Sequence, residues 1–82
     1  MMHVRVKLFA MVRDIAGTDE KIIALPADSS ASAVLESLLR EYPRLKEWKD
    51  YLRIAVNWNY VDGHHPVRDG DEVAIIPPVS GG

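Results

Sequence analysis

The sequence contains no cysteine. Disulfide staples, thiolate metal sites and cysteine nucleophiles are thereby excluded, and any sulfur chemistry must use sulfur brought to the chain from outside. Long apolar runs are missing too: none approaches the ~20 residues that cross a bilayer. No basic and apolar leader precedes the first patterned segment, so the cytoplasm is the expected location and no membrane partner is expected. Neither charge sign dominates. Ten Lys and Arg stand against twelve Asp and Glu, a formal net charge of −2. The basic residues occur singly rather than in the patch that marks nucleic-acid binding, so no nucleic acid is expected. With 82 residues the chain has room for one small domain, held by packing alone and with little left over for a deep enzyme pocket. Its apolar fraction of 48% suits such a domain and is too high for a disordered chain.

What is present is periodic. His3 to Phe9 alternates with period two, which predicts a half-buried strand with Val4, Val6 and Leu8 on the core face and Arg5, Lys7 and Phe9 on the other. Ala10 to Ala16 reads as a short helical turn closed by Gly17. Lys21 to Leu25 reads as a second strand, paired with the first as an antiparallel hairpin and ended by Pro26. Asp28-Ser29-Ser30 offers N-caps for the clearest helix, whose apolar face is Val34, Leu35, Leu38, Leu39 and Tyr42. Pro43 ends it. Lys46 to Tyr51 suggests a further turn, with Leu45 and Trp48 packing inward. Arg53 to Val56, Tyr60-Val61 and Glu72 to Ile76 read as strands. They are separated by a tight turn at Asn57-Trp58-Asn59, a loop at 62–66 and the Asp69-Gly70 turn signal.

The predicted order is β-β-α-β-β-β, in which the helix-bearing crossover lets the first and last strands pair in parallel. That is an α+β roll of the β-grasp, or ubiquitin-like, kind: a mixed sheet covered by one main helix. The expected division is a β-grasp domain at 1–76 and a flexible C-terminal tail at 77–82. Pro77 and Pro78 stiffen the start of that tail, and six residues reach roughly 20 Å. Gly81 and Gly82 carry no side chains and so pass a channel too narrow for other residues. The Gly82 carboxylate is ionised at neutral pH and a poor electrophile. Activated as an acyl adenylate, it would accept sulfide to give a thiocarboxylate, or an amine to give an amide. The plain alternative is an inert terminal remnant.

The segment Asp69-Gly70-Asp71-Glu72-Val73-Ala74-Ile75-Ile76-Pro77-Pro78-Val79-Ser80-Gly81-Gly82 resembles the DGDEVAxxPPVxGG ending of the molybdopterin synthase small subunit family. Leu8 to Gly17 resembles the family's FAxxRExxG segment, and Ala55-Val56-Asn57 is a further match. The resemblance spans nearly the whole chain. It implies a sulfur carrier whose Gly82 is adenylated by an E1-like adenylyltransferase, which uses ATP, and is then thiocarboxylated. The tail would enter the large subunit of molybdopterin synthase, where sulfur passes to cyclic pyranopterin monophosphate. The family pattern further implies a heterotetramer, a catalytic pocket in the large subunit and no cofactor bound by this chain. Two departures stand out: Trp58 at a turn where smaller or polar residues are usual, and His64-His65 in place of a commonly acidic loop.

Strand parity gives an expected docking face. Phe9, Tyr60 and Ile76 would form an exposed apolar patch at the root of the tail, continued by Pro77, Pro78, Val79 and Ser80. Family members are similar in using hydrophobic residues at these places. Arg13 would meet a partner carboxylate, or make only an exposed ion pair. No metal site is expected from His3, His64 and His65, which lack supporting carboxylates at ligand spacing. Trp48 and Trp58 suit core or interface packing rather than base stacking, since no basic groove surrounds them. Three function classes remain open at this point. They are a sulfur carrier for molybdopterin (or for a thiamine-type pathway), a ubiquitin-like modifier conjugated through Gly82, and an interaction module with an inert tail.

Overall fold

Seven residues at the start of the chain put alternate side chains on opposite sides, and this places Met2, Val4, Val6 and Leu8 in the core of strand β1 (Met2–Leu8). The structure, a computed structural model, describes residues 1–78. After β1 come helix α1 (Ala10–Ala16), strand β2 (Glu20–Leu25) and helix α2 (Ala31–Glu41). A 3-10 helix (Pro43–Tyr51) follows, and then strands β3 (Arg53–Val56), β4 (Asn59–Val61) and β5 (Glu72–Ile76). The sheet order is β2-β1-β5-β3-β4. Strand β1 pairs with β5 in parallel, while the other three pairings are antiparallel. This is the mixed β-grasp sheet that the sequence pattern predicts.

The core lies on one side of the sheet. Helix α2 turns Ala31, Val34, Leu35, Leu38 and Leu39 onto it, the apolar stripe expected of period 3.6. Val12 of α1 and Leu45 of the 3-10 helix close the ends, and Val67 seals the long connection into β5. Among the described residues no polar or charged residue is buried.

Three local readings differ from the sequence expectation. The segment after Pro43 is a nine-residue 3-10 helix rather than one turn. Within it Leu45 fills the core, but Trp48 does not follow it inward. Its indole rests edge-on against Tyr51, with ring centroids 6.4 Å apart, and the residue stays 36% exposed. Ser30 is the N-cap of α2, yet its hydroxyl makes no capping bond and meets the Ser32 hydroxyl at 3.0 Å. The first free N–H groups of the helix are taken by loop carbonyls instead: Ala31 N–H donates to His65 O at 2.8 Å and Ser32 N–H to Gly63 O at 2.9 Å. The 62–66 loop is therefore a backbone cap for α2.

Candidate functional site

The segment that enters β5 is fastened at every residue of the Asp69-Gly70-Asp71-Glu72 motif. Asp69 Oδ1 accepts from the His3 N–H at 2.7 Å, and the Gly70 N–H donates to His3 O at 2.8 Å. Gly70 turns the chain at φ 84°, a left-handed value that favours glycine. Asp71 accepts from the Arg68 N–H and from Asn57 Nδ2, at 2.8 and 3.0 Å. Glu72 donates its N–H to Asn57 Oδ1 at 3.1 Å and faces the Arg5 guanidinium at 3.7 Å. These bonds fix the register of β5 between β1 and β3, and so fix where Ile76-Pro77-Pro78 leaves the sheet.

The side of the sheet away from α2 has two halves. Over β1 and β2 it is charged, with Lys7 paired to Glu20 at 3.1 Å. Over β5, β3 and β4 its middle is apolar, with Arg53 and Glu72 at the two ends. The register sets Ala74 opposite Ala55, and Ala55 opposite Tyr60, so two small side chains make a floor beneath larger ones. Phe9, Ala55, Trp58, Tyr60, Ala74 and Ile76 line one shallow cavity of about 310 Å³. Phe9 is 40% exposed and Tyr60 66%, while the alanines are buried. The structure thus brings together Phe9, Tyr60 and Ile76, the expected patch, with Ala74, which the parity of β5 points to the same face. It adds Ala55 and Trp58. The parity of β3 carried the signal for Ala55, whereas Trp58 lies in a turn, where no period applies.

Arg13 lies one turn beyond Phe9 on α1 and donates its backbone N–H to Phe9 O at 3.3 Å. Its guanidinium is exposed and 3.9 Å from the Asp14 carboxylate, a weak surface pair. Pro77 is buried and Pro78 exposed, the latter beside Leu52 and Arg53. Val79, Ser80, Gly81 and Gly82, named above as tail residues, lie outside the described residues. Among those described, no group of three or more His, Asp or Glu side chains is placed to hold a metal ion, and no helix is long and apolar enough to cross a membrane.

A parallel β1–β5 pair at the centre of a mixed five-stranded sheet, crossed by one main helix and running out through Pro77-Pro78, defines a ubiquitin-like β-grasp protein. Sequence comparison narrows the class: the ThiS family model matches residues 6–82, and the chain belongs to that family. It is similar to the molybdopterin synthase sulfur carrier subunit of Arabidopsis thaliana, 33% identical over 99% of this chain and 84% of the relative. The same subunit of Dictyostelium discoideum is 38% identical over 95% and 94%. Among solved structures, a putative molybdopterin converting factor subunit 1 of Pyrococcus furiosus superposes with a TM-score of 0.88 at 34% identity, covering 96% of this chain and all of that one. Small archaeal modifier protein 1 of Methanosarcina acetivorans gives 0.80 at 36%, covering 100% and 98%. A chain from the complex of subunits 1 and 2 of the molybdopterin-converting factor of Helicobacter pylori gives 0.71 at 30%, covering 99% and 100%.

Proposed function

We propose that this chain is the sulfur carrier subunit of a molybdopterin synthase and that Gly82 carries the sulfur. The observation that supports this most is the run of the family match through Gly82, together with curated relatives that are sulfur carrier subunits along their length. In this reading an E1-like adenylyltransferase joins the Gly82 carboxylate to AMP, releasing pyrophosphate from ATP. Sulfide then attacks the acyl carbon and AMP leaves with one of the former carboxylate oxygens, so that oxygen is exchanged for sulfur. The large subunit takes in the Gly81-Gly82 end and passes the sulfur to cyclic pyranopterin monophosphate. Phe9, Tyr60 and Ile76 dock against the partners, Arg13 pairs with a partner carboxylate, and Pro78, Val79 and Ser80 enter the partner's channel from a root held by buried Pro77. The assembly is a heterotetramer with two large subunits, in the cytoplasm.

The deciding experiment is the intact mass of the chain after incubation with ATP, a sulfur source and its E1-like enzyme. The expected result is a shift matching replacement of one oxygen by sulfur, localised to Gly82. An unchanged mass with a demonstrably active enzyme overturns the reading. A second reading, a protein modifier joined through Gly82 to target lysines, draws on the 36% identity to the archaeal modifier protein. A ladder of Gly82 conjugates in cells would favour it.

A further inference from the structure

The β3–β4 hairpin closes on two residues, since Val56 is paired with Asn59. Asn57 and Trp58 have φ values of 50° and 73°, so both central positions of the turn are left-handed. Asparagine tolerates that region, and glycine is the favoured residue at the second position. A bulky side chain there crowds its own backbone. The turn does not depend on the indole. It is held by the Asn57 N–H donating to Glu72 O at 2.8 Å and by the Asn57 side chain bonding Asp71 and Glu72. Nor does the core require it, because Trp58 is 73% exposed. Backbone preference and burial both disfavour tryptophan at this position, yet its side chain stands over the apolar cavity beside Tyr60 and Ile76.

We infer that Trp58 is a specificity-determining anchor, whose indole fills an apolar recess on the large subunit and is retained against the carrier's own backbone preference. The inference rests on the function proposed above. Four residues follow Pro78, and fully extended they reach at most roughly 13 Å. A subunit whose reactive centre meets Gly82 must therefore approach within that distance of Pro78. Ile76, two residues earlier, lines the same cavity as Trp58, so such a subunit arrives at the edge of that cavity and Trp58 lies within reach of its surface. The large subunit is the favoured occupant because lasting assemblies use larger and more apolar contacts than brief enzyme encounters. Consistent with this, a chain of the same fold from Helicobacter pylori is part of a solved complex of subunits 1 and 2 of its molybdopterin-converting factor. Tryptophan is also the residue most enriched among interface anchors.

The test compares wild type with Trp58→Gly and Trp58→Asn, each titrated against the purified large subunit by calorimetry and each melted alone. Trp48→Ala, an exposed tryptophan on the 3-10 helix, controls for loss of an indole. Both Trp58 variants should melt a few degrees higher, as relief of about 1 kcal/mol moves Tm by roughly 4–8 °C in a domain of this size. Their Kd for the large subunit should rise at least about tenfold, with a smaller loss in the rate of Gly82 loading by the E1-like enzyme. Unchanged affinity in both variants overturns the inference, and the proposed function survives it if Phe9→Asp still weakens binding by more than about tenfold. A fall in Tm for both variants also overturns it, by showing that Trp58 packs its own fold. A larger loss in loading than in large-subunit affinity assigns the anchor to the wrong partner and overturns it as well. A wild-type chain that neither loads sulfur nor binds the large subunit removes the functional reading and this inference together.

Discussion

Two residues in left-handed backbone show opposite uses of the same conformation. Gly70 takes φ 84° with nothing near the place a Cβ would occupy, so the glycine serves the turn alone. Replacing it by alanine is expected to cost about 1 kcal/mol through strain without a clash. Thermal melts should show a drop of roughly 4–8 °C. Trp58 holds a similar φ with the largest side chain available. The proposed docking residues give a separate expectation. Phe9→Asp and Ile76→Asp should weaken large-subunit binding by more than about tenfold, or 1.4 kcal/mol, while Phe9→Asp shifts Tm by only a few degrees because that side chain is already partly in water. Calorimetric titration alongside melting separates the two effects; unfolding with no binding defect in the folded fraction would make these residues core. Phe9, Tyr60 and Ile76 were legible because a strand reports its faces every second residue. Trp58 was legible only as an oddity, since a turn's meaning lies in its dihedral angles. Trp48 misled because its spacing from Leu45 matches a shared face, but the core at that point holds Leu45 and leaves the indole against Tyr51.

Among the elements, α2 is fastened at its two ends by different means. At its start the fasteners are backbone carbonyls of the 62–66 loop, reinforced by the Val67 N–H donating to Ser29 O at 3.0 Å. No side-chain pattern announces such a cap, which is why Asp28-Ser29-Ser30 suggested hydroxyl capping instead. At its end Lys21 of β2 pairs with the Glu41 carboxylate, donates to the Tyr42 hydroxyl at 2.9 Å and sits 5.1 Å from the centre of the Tyr42 ring. The hydrogen bond to Glu41, then that to Tyr42, raises the Lys21 pKa; the bond from Lys21 lowers that of Glu41. The raised lysine stabilises the fold at pH values below its unfolded pKa of about 10.4 and loses that effect as pH rises through its folded value. The depressed glutamate stabilises above about pH 4.3 and loses that effect as pH falls through its folded value. Urea midpoints of wild type and Lys21→Met, followed against pH, should differ across the neutral range and converge at both extremes. Equal midpoints at neutral pH would show that this strut contributes nothing.

For the whole molecule the architecture was the most readable level. A helix between the early hairpin and the late strands leaves few ways to cover a sheet, and the parallel β1–β5 pair follows from the long crossover. The core should behave as one unit: Leu38→Ala, at a site with no exposure, is expected to cost 2–5 kcal/mol by chemical denaturation. Removing Gly81 and Gly82 should leave the melting curve unchanged and abolish thiocarboxylation, as read by intact mass; loading of the shortened chain would refute the role of Gly82. The sheet order carries a further consequence. Strand β5 is the last of the described strands in sequence, yet it occupies the middle of the sheet. Without β5 the described strands would pair only as β1 with β2 and β3 with β4, each pair marginal in water. Unseating β5 would therefore divide the sheet and take Ala74 out of the proposed docking floor in one step.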